Sequence, residues 1–213
     1  MKPSQSMIEG IPLIYQEDTF LVVEKPSGLL SQPGLGPLLQ DSLISRVKKR
    51  WPNANLVHRL DRDTSGILLI ALDAAMHRAL SKLFMERAIQ KRYRANVVGC
   101  PNVASGSIDA PIRKCGNHPP RYAIDLMGKP SRTDWQLIEK HSEHSCLDLV
   151  PLTGRSHQLR VHLAHLGHPI IGDPIYSETP PSKDQRLHLH ATLLSFQHPI
   201  LEEEITFHSP SPF

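Results

Sequence analysis

The stretch His58-Arg59-Leu60-Asp61-Arg62-Asp63-Thr64-Ser65-Gly66, followed directly by the apolar run 67–71, decides how this chain is interpreted. Polar side chains are costly to bury unless they are paired, so a buried element rarely begins with so many of them. The Thr-Ser-Gly step predicts a tight turn, and residues 67–71 predict a buried strand. Asp61 would then lie on a loop beside a rigid sheet, a common position for a functional group. The alternative is a solvated loop whose Asp and Arg side chains form a surface pair.

Two further segments have the same mixed character. Residues 90–97 read Gln-Lys-Arg-Tyr-Arg-Ala-Asn-Val, and residues 152–162 read Leu-Thr-Gly-Arg-Ser-His-Gln-Leu-Arg-Val-His. In order and spacing, the three segments resemble the signature motifs of pseudouridine synthases of the RluA family. Residues 22–30, 165–173 and 187–191 extend the resemblance over nearly the whole chain.

The resemblance implies a fold. It indicates an α+β protein with a long mixed, mostly antiparallel sheet, flanking helices and a central catalytic cleft. We expect a flexible N-terminus over residues 1–10 and a single catalytic domain over residues 11–213, with two lobes sharing one sheet. Some family members carry an N-terminal RNA-binding domain of the S4 type, and we expect none here because Asp61 lies close to the start.

The resemblance also implies a reaction. Converting uridine to pseudouridine breaks the N1–C1′ bond, turns the uracil and joins C5 to C1′, without redox change, so no cofactor and no metal are expected. Asp61 is the candidate catalytic carboxylate by its position in the first motif. It could attack C1′, remove the C2′ proton or stabilise an oxocarbenium-like centre, and the sequence does not choose among these.

The other two motifs supply partners for Asp61. Arg155 is expected to pair with Asp61, keep it ionised and fix its orientation. Tyr93 is expected to pack on the uracil and accept the C5 proton in the last step. A tyrosine in a strand is more often a core residue, and only the joint occurrence of the motifs favours these roles.

Four further residues are predicted to bind substrate. Leu159, one helical turn after Arg155, would form the apolar floor beneath the base. Arg59 would fill the gap left in the RNA when the target nucleotide flips out. His58 and Thr64, within the first motif, complete the predicted substrate-binding set. A leucine on a helix is usually a core residue when no motif surrounds it.

Charge is weakly informative in total and more informative in its distribution. Lys and Arg exceed Asp and Glu by 24 to 21, which is compatible with a nucleic-acid partner without requiring one. Basic residues cluster over 46–50 and 78–94, and solvated helix faces would explain either cluster alone. Beside RNA-modifying motifs, phosphate contact is the better interpretation. The predicted RNA-backbone contacts are Lys48, Lys49, Arg50, Lys82, Arg87 and Lys91.

The resemblance names RNA as the partner: large-subunit rRNA, the anticodon stem-loop of tRNA, or both. The widely spaced Cys100, Cys115 and Cys146 form no pair typical of a disulfide framework, and residues 1–10 contain no apolar core of a signal peptide. We therefore expect a cytoplasmic protein without a membrane partner. No feature indicates an oligomer, so a monomer is expected.

The same residues allow other classes of protein. A non-catalytic RNA-binding or ribosome-assembly factor with the same fold is the main alternative, and the joint presence of Asp61, Tyr93 and Arg155 argues against it. A base-flipping glycosylase could use the same carboxylate and release the base. His162 and His165 would share a helix face, but helix packing or RNA contact explains them better than zinc does.

Three helices are expected. The first begins at Asp41 or Ser42 and runs to about Arg50, the second follows Asp73, and the third runs from a Ser156 cap to Leu166. Residues 99–130 should form loops around a short hairpin. Strands are expected at residues 13–15, 20–24, 92–98, 131–139, 146–150, 188–196 and 204–207.

Overall fold

A computed structural model describes residues 6–117, 120–178 and 185–213. Within them, α1 is Leu43–Val47, α2 is Ala74–Met85 and α3 is Gln158–His165, and Pro37–Leu39 forms a 3₁₀ turn. The strands are β1 Met7–Ile8, β2 Ile11–Gln16, β3 Phe20–Lys25, β4 Asn55–Leu56, β5 Ser65–Ala71, β6 Gln90–Val98, β7 Ser105–Asp109, β8 Ile112–Asn117, β9 Pro120–Ile124, β10 Arg132–Lys140, β11 His144–Pro151, β12 Leu189–Gln197 and β13 Glu204–His208. Short strands with few helices confirm the α+β prediction.

The chain divides into two compact units, with β6 and β12 each passing from one to the other. The first unit contains the described residues up to Lys91 together with Ala191–Ser211, and the second contains Arg92–His190 with Pro212–Phe213. The predicted division into a flexible residue 1–10 segment and one domain stays a prediction. Residues 1–5 lie outside the described residues, and Met7–Ile8 forms β1, paired with β2.

The first unit is built on an antiparallel sheet in the order β1, β2, β3, β5. β5 is buried at all seven positions, because both of its faces are covered. One face packs into a core that α2 closes through Met76 and Leu80. The other members of that core are Phe20, Val22, Ile67, Leu69, Ala71, Ile89, Leu194 and Phe196.

Helix α2 forms as predicted. The Asp73 carboxylate accepts a hydrogen bond from the Met76 N–H at 2.8 Å, which satisfies one of the free donors of the first turn. Helix α1 begins after Ser42, whose hydroxyl and that of Ser45 cap each other's backbone N–H. It ends at Val47 rather than near Arg50, because residues 48–50 continue as turns.

The second unit has a four-stranded antiparallel sheet in the order β6, β11, β10, β7, and a separate hairpin of β8 and β9. Leu147 and Leu149 of β11 pack against Leu159 and Leu163 of α3 in one core. Residues 99–130 are therefore richer in strands than predicted, since they contain β7, β8 and β9. Gly106 and Gly116 lie within β7 and β8, and Pro120 begins β9. Because Gly and Pro are depleted in strands, the sequence pattern did not reveal these strands.

Two local predictions in the signature motifs were wrong. Ser65 and Gly66 belong to β5 and do not form a turn. Gly66 has a φ of 113°, and a Cβ there would lie 2.4 Å from the Ala191 carbonyl oxygen, so the glycine serves close strand approach. Helix α3 is not capped by Ser156, because the residue before it is His157 in the left-handed conformation. Gly167 does end that helix with a φ of 87°, as predicted.

Candidate active site

The backbone around Asp61 is fixed by hydrogen bonds from the segment that follows β3. The Ser31 hydroxyl donates to the Leu60 carbonyl oxygen at 2.6 Å and accepts from the Leu60 N–H at 3.1 Å. The Ser27 hydroxyl donates to the Asp63 carbonyl oxygen at 2.7 Å. Residues on both sides of Asp61 are thus tied to one segment, and the Asp61 side chain is half-buried between them.

Lys25 supplies the strongest of these ties. Its side chain has 0% exposure, and its Nζ donates to the carbonyl oxygens of Arg62 at 2.8 Å and Leu29 at 2.7 Å. It also donates to the Pro26 carbonyl oxygen at 2.9 Å. A buried ammonium group is tolerated only when hydrogen bonds replace its water, and such charge-assisted bonds are about twice as strong as neutral ones. Lys25 therefore joins the end of β3 to the loop that carries Asp61.

Beyond the end of β4, the His58 side chain takes the place of a strand partner for β5. β4 pairs with β5 only through Asn55 and Leu56, and the His58 Nε2 then accepts a hydrogen bond from the Leu69 N–H at 3.0 Å. The ring stacks on Phe84 with centroids 4.6 Å apart. Burial, and next the charge of Lys91, lower the pKa of His58 to about 3. The ring is therefore neutral near pH 7, as its acceptor role requires.

The remaining predicted residues of the first unit differ in exposure. Arg59 is exposed, whereas Thr64 is only 3% exposed, which leaves little of it for a substrate to touch. Lys48, Lys82 and Arg87 are also exposed. Burial lowers the pKa of Lys91, which is half-buried.

Three of the predicted phosphate contacts already have partners within the first unit. Lys49 Nζ lies 2.8 Å from Glu9 Oε2, and the Arg50 guanidinium lies 4.5 Å from the centre of the Trp51 ring. Lys82 Nζ lies 3.8 Å from Glu86 Oε1. Exposed ion pairs are worth about 0–1 kcal/mol, so these cations can exchange their partners for phosphate at low cost.

In the second unit, Tyr93 and Leu159 belong to the same apolar environment. Tyr93 is half-buried on β6, opposite Leu149, and packs against the core that contains Leu159. Leu159 is 7% exposed on the first turn of α3. The structure thus places Tyr93 against the core that contains the leucine predicted to form the floor beneath a base.

Gln158 organises the turn that carries Arg155. Its side-chain oxygen accepts from the Arg155 N–H at 3.0 Å and from the Thr153 hydroxyl at 2.7 Å. Its side-chain nitrogen donates to the Arg132 carbonyl oxygen and to the Thr133 hydroxyl, both at 3.0 Å. This buried amide fixes the turn before α3, whose N-terminus has no side-chain cap. Arg155 itself is half-exposed, and its Nε donates to the Pro130 carbonyl oxygen at 3.2 Å.

His162 extends this network into the core. Its Nε2 lies 3.0 Å from the Ala110 carbonyl oxygen, which can only accept, so Nε2 carries the proton. Its Nδ1, 2.9 Å from the Thr133 hydroxyl, then accepts from it. Burial lowers the pKa of His162, in accord with a neutral ring. Both ring nitrogens make hydrogen bonds inside the protein. This agrees with the expectation that helix packing explains His162 better than zinc does.

Arg160 and Asp173 form a buried ion pair behind the same helix. Their two bonds measure 2.8 Å and 2.7 Å, and the side chains are 3% and 0% exposed. Asp173 also accepts from the N–H groups of Ile175 at 2.9 Å and Tyr176 at 3.1 Å. The third motif therefore contains a partly exposed residue, Arg155, and several buried residues that hold α3 in place. The spacing of the motif did not distinguish these two groups.

Comparisons with known proteins identify the family to which the chain belongs. A family model described as RNA pseudouridylate synthase matches residues 19–165, and the chain belongs to this family. It is 42% identical over 205 residues to the dual-specificity RNA pseudouridine synthase RluA of Escherichia coli (strain K12), covering 94% of this chain and 93% of the relative. The RluA protein of Pasteurella multocida (strain Pm70) is 40% identical over 207 residues, covering 95% and 94%.

A solved structure supports the same fold. Human RNA Pseudouridylate Synthase Domain Containing 1 superposes with a TM-score of 0.82 at 31% identity, covering 100% of this chain and 87% of that one. The chain is thus an isomerase that converts uridine in RNA to pseudouridine, which disfavours the non-catalytic and glycosylase alternatives. Among the residues that the structure describes, no helix is long and apolar enough to cross a membrane.

Proposed function

We propose that this enzyme isomerises a loop uridine of a folded RNA hairpin, in large-subunit rRNA, in the anticodon stem-loop of tRNA, or in both. The names of the bacterial relatives, which state dual specificity towards RNA, support more than one substrate. Loop uridines are the reasonable targets because unstacked bases cost little to flip.

In this proposal Asp61 is the catalytic carboxylate. The observation that carries it is the fixation of the backbone at Leu60, Arg62 and Asp63, on both sides of Asp61, by a single neighbouring segment. A reacting group must be held within a fraction of an ångström of its productive position, and fixed neighbours supply that precision before substrate arrives.

The partners of Asp61 complete the proposal. Arg155 keeps the carboxylate ionised and aligned, and Tyr93 packs on the uracil and accepts the C5 proton. Leu159 lies beneath the base, and Arg59 occupies the gap in the RNA. These roles rest on the motif resemblance, and the half-buried position of Tyr93 beside the Leu159 core is compatible with them.

A cytoplasmic monomer is part of the same proposal. Cys100, Cys115 and Cys146 are free thiols, which suits a reducing compartment. The exposed cations of the first unit supply electrostatic affinity for phosphate.

The test is direct modification of defined RNAs. The purified protein is incubated with a transcribed tRNA anticodon stem-loop and with hairpins from large-subunit rRNA, and pseudouridine is mapped at nucleotide resolution. We expect pseudouridine at a single loop position in at least one RNA, and no product when that uridine is replaced by cytidine. Absence of product from all folded hairpins would contradict the proposed substrate class.

A further inference from the structure

A short loop in the first unit exposes two leucines to solvent. Leu35 and Leu38 are each 95% exposed, within the uncharged sequence Gln-Pro-Gly-Leu-Gly-Pro-Leu-Leu-Gln of residues 32–40. We name residues 32–40 the leucine loop. Single exposed leucines are common on protein surfaces, but two fully exposed leucines on one uncharged loop mark a contact surface when the loop is also rigid.

The leucine loop is held in one conformation by its own hydrogen bonds. The Gly34 N–H donates to the Leu39 carbonyl oxygen at 2.8 Å. The Gln40 side-chain amide donates to the carbonyl oxygens of Gly36 at 2.8 Å and Gly34 at 3.2 Å. Pro37 begins the 3₁₀ turn with its φ already restricted. Binding through such a preorganised loop costs little conformational entropy.

The neck of the loop is joined to the backbone beside Asp61. Leu30 and Ser42 form an isolated β-bridge that closes the loop. Ser31, which follows Leu30, makes two hydrogen bonds to the backbone of Leu60. Leu35 is four residues from Ser31, so their Cα atoms are at most about 15 Å apart. A folded RNA hairpin is wider than this distance. Because Ser31 bonds to the residue before Asp61, Leu35 lies within the span of an RNA hairpin that presents a nucleotide to Asp61.

The chain that follows the loop carries the charge that such an RNA requires. Helix α1 begins at Leu43, and Lys48 at its end is exposed, about 8 Å along a helix of five residues. Arg50 is exposed two residues later. Cations beside an uncharged apolar loop suit a ligand that has both phosphates and flat apolar faces. Unpaired nucleotides have both, because every base offers a face for apolar contact.

We propose that Leu35 and Leu38 pack against unpaired bases of the substrate RNA, next to the nucleotide that reacts at Asp61. This inference rests on the proposed function, and it adds a non-electrostatic contact surface to it. The leucines contact the faces of bases, which are accessible only where the RNA is unpaired. They donate and accept no hydrogen bond at a base edge, so the contact does not depend on base identity. The contact would strengthen binding to loops over duplexes.

The experiment compares Leu35→Ser/Leu38→Ser with the wild type and with the matched control Ile200→Ser/Leu201→Ser. The control residues are 65% and 61% exposed in the same unit, on the turn between β12 and β13. Affinity is measured for whichever hairpin the wild type modifies, and for the same sequence closed into a full duplex. We expect about 10- to 100-fold weaker hairpin binding for the loop variant, and wild-type binding for the control.

Salt dependence separates this surface from the cationic one. Because leucine contacts release no counterions, the loop variant should keep the wild-type slope of log Kd against log salt. Wild-type hairpin affinity in the loop variant would overturn the proposal. This holds even if the variant has lost binding to a protein, because the leucines would then contact that protein and not RNA. A flatter salt slope would also overturn it. Since the hairpin is chosen as one that the wild type modifies, either negative result leaves the proposed function intact.

Discussion

The Nζ of Lys25 donates a hydrogen bond to the Arg62 carbonyl oxygen at 2.8 Å, and this ties the end of β3 to the residue after Asp61. Arg62 O also accepts from the Gly28 N–H at 2.9 Å, so one carbonyl has two donors from the same segment. The loop that carries the candidate carboxylate is therefore part of the frame of the first unit. Its geometry is set before any RNA binds.

Replacing Lys25 with methionine should remove the hydrogen bond that ties the end of β3 to the loop carrying Asp61. Lys25→Met keeps the volume and leaves the carbonyl oxygens of Pro26, Leu29 and Arg62 without their shared cation. We expect a loss of about 2–3 kcal/mol in the free energy of unfolding, and a kcat that falls far more than KM changes. Urea unfolding and steady-state kinetics measure the two effects. Lys140→Met, at an exposed lysine, is the control. Full kcat in a folded Lys25→Met would show that Lys25 does not position Asp61.

Stability should decline in acid because His58 is neutral in the folded protein. Its folded pKa is about 3, below the ordinary 6.5, so the unfolded chain binds the proton first. The stabilisation is present above about pH 6.5 and is lost as the pH falls towards 3, at on the order of 1 kcal/mol per pH unit.

His58→Gln can keep an acceptor for the Leu69 N–H and removes the titration. Its unfolding free energy should therefore depend less steeply on pH between 6 and 4 than that of the wild type, while His162 contributes equally to both proteins. Equal slopes would contradict the neutral state of His58. His58→Leu removes the acceptor as well and should be the least stable of the three at pH 7.

Gln158→Glu should disrupt the turn that carries Arg155, in a pH-dependent way. The carboxylate can still accept from the Arg155 N–H, but its second oxygen would face the Arg132 carbonyl oxygen, which the native amide approaches to 3.0 Å. That repulsion should raise the folded pKa of the new carboxyl. The variant should then approach wild-type stability at low pH, where the protonated carboxyl can donate, and lose stability as the pH rises through that raised value.

Thermal unfolding at pH 5 and pH 8 measures this difference. Gln136→Glu, at an exposed position of β10, should show little effect at either pH. A Gln158→Glu protein that is equally stable relative to wild type at both pH values would contradict the bonding assigned to Gln158.

The sequence predicted elements whose patterns are local. β5 is a continuous apolar run, α2 has an Asp73 cap and apolar residues at helical spacing, and the β10–β11 pair alternates clearly. The signature motifs also located Asp61, Tyr93 and Arg155, although the roles of these residues remain proposals. Local pattern and motif together were sufficient for the class of fold and the class of reaction.

The sequence could not predict contacts between segments far apart in the chain. Ser31 and Leu60 are 29 residues apart, and Lys25 and Arg62 are 37 apart, so no periodicity links them. The wrong Ser156 cap has a similar cause. Ser156 has the usual residue type for a cap, but the residue before α3 is a left-handed His157, and Gln158 at the start of the helix bonds to β10. Tertiary contacts there override local preference.

We expect Asp61 to be the catalytic carboxylate. The decisive measurement is single-turnover pseudouridine formation by Asp61→Asn, on the hairpin that the wild type modifies, beside Asp63→Asn as a control from the same loop. Asparagine keeps the size of the side chain and removes its charge, so folding and RNA affinity should stay near wild type. We expect the rate to fall by on the order of 10³ or more in Asp61→Asn and to remain near wild type in Asp63→Asn. Pseudouridine formation by Asp61→Asn at close to the wild-type rate would contradict the account.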